Sequence, residues 1–443
     1  MRKILVALLA LTVATGTVGL FAAPKATDGG KVLTIYVWND EFQTRFKDYF
    51  EKAGLVPKDV TVNWVVTPNQ DNAYQNKLDE ALLNQDKASP NDKIDIFLVE
   101  ADYALKYVNT DASLDVIKDV GLTQADLSQQ FQYTKDIMTD KNGVLKGVSW
   151  QGCPAGFIYR RSIAKEVLGT DDPAKVQAQI DTWDKFDAVA AKLKAKGYFA
   201  VSGYDDDFRV FTDNAKLSWV DKNGKIQIDP NINKWIDQTK TYTDKGYNNK
   251  ASLWSAESSA GAGPTGKVFG YFGPGWFIDF CLAGWSKADP KGPDAVGNGT
   301  YGDWAFTKGP EGFSWGGTWL VAAAGTDNIS LVKSVFKKMT VDQDTLTAIA
   351  KDKGDFTNNI AVINKLAKDP KFGNKFLGGQ NYYGLLVNSA KAISRKNITS
   401  YDQGFTEELQ KAFKDYFDGK VTKDQAWDNF YTAILEKYPN LKK

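Results

Sequence analysis

Between Val32 and Asp102 the chain switches repeatedly between two hydrophobic periods, and this alternation restricts the fold more than any other feature. "VLTIYVW" (Val32 to Trp38) is an apolar run of strand length, and "FQTRFKDYFEKAG" after it places Phe42, Phe46 and Phe50 at a spacing of four with Gly54 as the stop. "VTVNWVV" (Val60 to Val66) predicts a second strand, "AYQNKLDEALLNQ" a second helix, and "IDIFLVEAD" (Ile94 to Asp102) a buried third strand. Strand, helix, strand, helix, strand calls for a right-handed parallel sheet, in which ligands bind outside the carboxyl ends of the strands. Those ends are Asn39-Asp40-Glu41 and Glu100-Ala101-Asp102.

At 443 residues the chain exceeds one core, so two domains are expected. A second α/β unit follows the first. "VLKGVSW" and "GFIYRRSIA" read as strands around Pro154, and "TWDKFDAVAAKLKAKG" as an amphipathic helix capped by Thr182. "LSWVDKNGKIQI" reads as a hairpin turning at Lys222-Asn223-Gly224, and "INKWIDQTKTYTDKG" as a helix ending at Gly246. "GGTWLVAAA" (Gly316 to Ala324) predicts a strand and "NISLVKSVFKKMT" a helix. The stretch "FGYFGPGWFIDF" (Phe269 to Phe280) sets aromatics around a Gly273-Pro274-Gly275 break, where turns normally reach the surface. Those rings face either a core or a ligand.

Composition removes most chemistry. With no histidine, Ser-His-Asp triads, Cys-His pairs and His-bearing metal sites are excluded, and two distant cysteines cannot make a zinc knuckle. No metal or other cofactor is expected. Lys+Arg 55 against Asp+Glu 54 gives no electrostatic case for nucleic acid or an anionic membrane. "GAGPTGKV" (Gly261 to Val268) imitates a phosphate loop, but Val268 stands where a hydroxyl residue belongs and a strand-like segment follows where a helix is needed. Asp205-Asp206-Asp207 lacks the spacing of a calcium loop. A glycosidase survives, because it needs only two carboxylates and aromatic subsites. At the N-terminus, Met1-Arg2-Lys3, the apolar Ile4 to Ala14 and the small residues up to Ala23 read as a secretory signal peptide over residues 1–23, cleaved near Ala22 or Ala23. Export makes a Cys153 to Cys281 disulfide as admissible as two buried thiols.

The segments quoted above, with "FLGGQNYYGLL" and "NSAKAI" towards the end, follow an order that resembles the extracellular solute-binding proteins of carbohydrate ABC transporters, the family that contains maltose-binding protein. The resemblance covers essentially the whole mature chain. It implies an α/β, two-lobed periplasmic-binding-protein-like fold with a hinged cleft. The first lobe would be 31–149 plus 318–358 and the second 150–317 plus 359–443, with crossings near Val148 to Gln151 and Ser314 to Gly317. It implies a non-enzymatic, cofactor-free role: a monomer that captures a saccharide and hands it to membrane ABC permease subunits in the periplasm or outside the cell.

A pyranose presents an apolar C–H face and a hydroxyl rim, so its site pairs flat aromatics with carboxylates and amides. The resemblance puts Trp276 in the stacking position, Asn39, Asp40, Glu41 and Asp102 on the rim, Gln151, Trp315, Gly316, Gly317 and Trp319 at the crossings, and Gln380 and Tyr204 as second-lobe contacts. Competing expectations remain: Trp276 as a core ring, Asp102 as a helix cap, Asp40 and Glu41 as helix-start acids. Trp38, Trp64, Trp183 and Trp235 follow core periodicity. The alternatives in function are a secreted glycoside hydrolase with paired carboxylates, or the same fold serving a non-sugar solute such as a polyamine, metal ion or amino acid.

Overall fold

The computed structural model describes residues 25–443, so the leader expected over 1–23 lies outside the described residues. Among the described residues ten strands carry the fold: β1 (Val32–Val37), β2 (Thr61–Val66), β3 (Ile96–Glu100), β4 (Pro154–Arg160), β5 (Val201–Gly203), β6 (Asn248–Ala251), β7 (Gly270–Pro274), β8 (Trp304–Thr307), β9 (Phe313–Ser314) and β10 (Thr318–Ala322). The architecture is α/β and two-lobed, with a four-stranded sheet in the order β10-β3-β1-β2 and a second sheet in the order β7-β4-β8, to which β9 adds by pairing with β4.

In the first sheet β1 runs parallel to both β2 and β3, with Ile35 opposite Trp64 on one side and Ile96 on the other. Helices Glu41–Phe46 and Ala73–Leu83 make the two crossovers that parallel pairing requires. Phe42, Phe46 and Phe50 are buried along one face, and the helix widens through a π turn over Lys47–Glu51 before Gly54, at φ +70, ends the run. β3 is buried on both faces, which is why its sequence reads as a continuous apolar run. β10 returns to this sheet antiparallel to β3, with Thr318 opposite Glu100.

The second sheet is antiparallel throughout. Phe157, Phe186, Phe269 and Phe272 pack at its centre, with Phe157 and Phe272 ring centroids 4.8 Å apart. A third cluster joins helix Pro230–Lys245 to the C-terminal helices Asp402–Phe417 and Lys423–Lys437 through Trp235, Phe405, Phe413, Phe417 and Phe430. The Thr182 and Gly246 helix boundaries stand as expected: the Thr182 side chain accepts from Lys185 N–H, and Gly246 takes φ +66.

Three segments differ from their sequence reading. "VLKGVSW" is no strand; it passes from one sheet towards the other and meets β10 only at Val148, whose N–H and C=O bond Leu320 at 3.1 and 2.8 Å. "RRSIA" leaves β4 and becomes helix Arg161–Leu168, because Ile163 and Ala164 bury on a helical face. The hairpin at Gly224 keeps its turn but pairs only Val220 with Ile226, through Asp221 N–H to the Lys225 carbonyl and Gln227 N–H to the Trp219 carbonyl, while Ile226 N–H bonds the Lys442 carbonyl on its other edge. Cys153 and Cys281 are both free thiols and buried.

Candidate functional site

The parallel strands β1 and β3 feed connections to opposite sides of the first sheet, β1 towards β2 and β3 towards β10, so the gap between their carboxyl ends is the topological switch point. Trp38 and Asn39 follow β1 directly, and Asn39 Oδ1 accepts from Glu41 N–H at 3.1 Å, which sets the start of the helix carrying Glu41. Glu100 closes β3, and its carboxylate accepts from Asp102 N–H at 2.7 Å. The other lobe contributes the helical turn that begins at Gly275, immediately after β7, and brings Trp276, Phe280 and Cys281 to the same space. Trp254, on the loop after β6, and the β9–β10 link Trp315-Gly316-Gly317 complete the walls. Gly316 at φ +72 and Gly317 at φ +111 hold backbone that other residues rarely adopt, and a Cβ on Gly316 would sit 3.3 Å from the Trp276 indole nitrogen.

These elements enclose a cavity of about 390 Å³ between the sheets. Three indoles form one cluster in its wall: Trp276 donates from Nε1 to the Trp315 carbonyl at 3.0 Å, its ring centroid lies 4.9 Å from that of Trp315, and Trp254 lies 5.7 Å from Trp315. Trp254 is 62% exposed and Phe280 54%, large rings left uncovered at the same place.

The polar side of the cavity is acidic. Gln151 Nε2 donates to both Glu41 carboxylate oxygens at 3.4 Å, and Arg45 stands 3.6 Å away, itself forked onto Asp355 at 2.9 and 2.6 Å. The Trp150 indole also donates to Asp355, at 3.1 Å. Burial pushes Glu41 up to about 7 against the pull of Arg45. Burial pushes Glu100 further, to about 8, and the Asp102 charge acts in the same sense. Burial also opposes ionisation of Asp102, but Arg209, bonded to both its oxygens at 2.7 and 2.5 Å, outweighs that and holds it below the usual carboxylate range. The Arg209 guanidinium lies 6.0 Å from the Trp315 ring centre, so this ion pair joins the end of β3 to the second lobe beside the cavity.

Of the residues singled out in the sequence, Asn39, Glu41, Gln151, Trp276, Trp315, Gly316 and Gly317 line this one cavity. Asp40 is exposed beside it and contributes its carbonyl to Thr44 N–H rather than a side-chain cap. Asp102 adjoins a smaller cavity of about 60 Å³, shared with Arg209 and Arg395. Trp319 is 3% exposed in the core, with Nε1 bonded to the Thr134 carbonyl at 2.9 Å. Gln380 bridges the Phe306 backbone through its amide at 2.8 and 2.9 Å. Tyr204 packs on Phe417 and donates to Asp418 at 2.5 Å, within the third hydrophobic cluster.

The cavity adds residues that the sequence reading did not make contacts: Trp38, read as core, Glu100, read only as part of a strand end, and Trp254, Phe280, Cys281 and Thr318. Trp38 obeys core periodicity and packs partly on the core, but its position one residue past β1 also opens it to the cavity. "GAGPTGKV" leaves a helix, Ala256–Ala262, and leads into β7, the reverse of the strand-to-helix order a phosphate loop uses. Asp206 turns the chain by accepting from Ser202 N–H and, at 3.1 Å, from Gly203 N–H. Among the described residues no group of three or more His, Cys, Asp or Glu side chains is placed to hold a metal ion, and no helix is long and apolar enough to cross a membrane.

Comparison with known proteins places this geometry. No curated protein matches the chain. Among solved structures, an extracellular solute-binding protein of family 1 is 17% identical, with 91% of this chain and 99% of that chain covered and a TM-score of 0.72. The galacto-N-biose-/lacto-N-biose I-binding protein of a Bifidobacterium longum ABC transporter, solved with lacto-N-biose, is 13% identical, with 94% and 100% covered and a TM-score of 0.71. The sugar-binding protein MalE of Xanthomonas citri is 14% identical, with 92% and 98% covered and a TM-score of 0.68. At these identities the likeness is one of fold, and it extends over nearly the whole of each chain. The family model for bacterial extracellular solute-binding proteins matches residues 45–375, and the chain belongs to that family.

Proposed function

We propose that the protein is an extracytoplasmic sugar-binding protein that captures a mono- or oligosaccharide in the cavity between its lobes and delivers it to an ABC permease. The observation that carries this is the pairing of indole walls with a carboxylate and amide rim: Trp38, Trp254, Trp276 and Trp315 beside Asn39, Glu41, Glu100 and Gln151 in one space of about 390 Å³. Flat rings suit the C–H face of a pyranose, and acceptors suit its hydroxyls. The named neighbours, among them the lacto-N-biose complex, support the solute class.

The lobes are taken as 31–149 plus 318–358 and 150–317 plus 359–443, with the links at 148–151 and 314–317 acting as the hinge. Function requires a signal peptide cleaved near Ala22 or Ala23, the periplasm or cell exterior as location, and membrane permease subunits as partners of a monomeric carrier. Binding without turnover distinguishes this reading from a glycosidase. The two glutamates in the cavity are the observation that favours the enzyme, since paired carboxylates are its one requirement.

Calorimetry against a panel of mono- and oligosaccharides, with each titrated mixture then separated by chromatography, tests both. Saturable binding with every sugar recovered intact is expected. Catalytic hydrolysis abolished by Glu41→Gln or Glu100→Gln would replace the carrier with the enzyme, and no binding across the panel would end the saccharide reading.

A further inference from the structure

The side chains that line the interlobe cavity include two carboxylates, Glu41 and Glu100, and neither lysine nor arginine. The cations nearest to it already have partners. Arg45 is forked onto Asp355, and Arg209 is forked onto Asp102. Arg45 reaches Glu41 only at 3.6 Å and no cation among the described residues is bonded to Glu100, so a neutral solute leaves the pair undercompensated in a poorly solvated space, and an anionic one meets charge of its own sign.

The walls around the glutamates are rings. Trp38, Trp254, Trp276, Trp315 and Phe280 all reach the cavity, and Trp254 and Phe280 are the two aromatics among the large hydrophobic side chains left exposed in the described residues. A ring face attracts a cation within about 6 Å of its centre, and aromatic walls joined to carboxylates form a cage for an ammonium group. The same faces accept a pyranose, so ring and ammonium can be recognised on one molecule.

We propose that the solute is an amino saccharide, its ammonium group engaged by Glu41 and Glu100 while its sugar ring lies against the indole walls. The assignment rests on the saccharide reading above and narrows it to cationic sugars. Burial has pushed Glu41 up to about 7 and Glu100 to about 8, and an ammonium beside them reverses that cost by favouring their charged forms. The same two groups, in the charged forms that an ammonium favours, disfavour uronic acids and sugar phosphates.

Titration calorimetry at pH 7 on the mature protein tests this with matched sugars: cellobiose, its free-amine analogue chitobiose, N,N′-diacetylchitobiose, and the pairs glucose with glucosamine and galactose with galactosamine. Spermidine serves as an amine without a sugar ring. The free amine is expected to bind about tenfold or more tighter than its neutral counterpart, the scale of one hydrogen bond to a charged group. Acetylation should remove that advantage, and Glu41→Gln or Glu100→Gln should narrow it. If neutral sugars bind as tightly as their amines, the amino-sugar assignment falls while the saccharide reading stands. If no sugar binds, both fall, and binding of spermidine alone would put a linear polyamine in their place.

Discussion

Replacing Trp276 by alanine separates a binding ring from a structural one, because the indole is tied to both tasks. It is half-buried, donates to the Trp315 carbonyl at 3.0 Å and meets the Trp315 ring at 4.9 Å, while another part of it lines the cavity. On the structural side, alanine removes one hydrogen bond, about 1 kcal/mol, and one aromatic pair, about 0.5–1.5 kcal/mol. A loss of about 2 kcal/mol in stability follows, seen as a drop of several degrees in melting temperature. On the binding side, a sugar covering roughly 50 Å² of ring at about 25 cal/mol per Å² contributes about 1.3 kcal/mol, and the stacking preference adds about 0.5–1.5 kcal/mol. Affinity should therefore fall by about 20- to 100-fold. Trp276→Phe keeps a flat face and loses the indole donor, so it should cost about 1 kcal/mol of stability and less than about tenfold in affinity. Melting temperature and the dissociation constant of one saccharide, measured on wild type and both variants well below their melting points, give the comparison. If Trp276→Ala is folded and binds within about threefold of wild type, the ring belongs to the scaffold and the reasoning about the cavity wall is refuted.

Glu100 makes stability depend on pH. Its proton is held in the folded state up to about 8 against an ordinary value of 4.5, so the folded state binds more protons than the unfolded one across that window and stability falls as pH rises through it. Asp102 strengthens the effect and Arg209 and Arg395 oppose it; the melting temperature of wild type should decline from pH 5 to pH 8.5 more than that of Glu100→Gln, and parallel profiles would contradict the assignment. The Asp102–Arg209 pair joins the two lobes, and its partly buried geometry predicts a coupling of about 1–3 kcal/mol in a double-mutant unfolding cycle with Asp102→Asn and Arg209→Gln; a coupling near zero would show that the contact holds nothing together. Ligand should shrink the radius of gyration measured by solution scattering, and Gly316→Ala, at φ +72, should weaken that closure; an unchanged radius at saturation would remove the hinge.

The first sheet was readable because β3 is a continuous apolar run, β1 nearly so and the edge strand β2 rich in β-branched residues, and because the first crossover helix shows its period in Phe42, Phe46 and Phe50. The second was not, since β4 pairs with β7 and β8, more than a hundred residues away, and antiparallel partners at that distance leave no local mark. The run "FGYFGPGWFIDF" shows where the limit lies. β7 is covered on both faces, so Tyr271 and Phe272 are buried together although they point in opposite directions. After Pro274 the period changes to a helical one, which separates Phe277 and Ile278 in the core from Trp276 and Phe280, four residues apart, at the cavity. Reading Gly-Pro-Gly as a surface turn hides that change, whereas the spacing of four between the two cavity rings was present in the sequence. Glu100 and Asp102 pose a different difficulty. They sit two residues apart at the end of one strand, and nothing local decides which carboxylate is left to face a solute. Arg209 decides it from 107 residues further along the chain: by taking both oxygens of Asp102 it turns that acid into a tie between lobes and leaves Glu100 as the acid of the cavity.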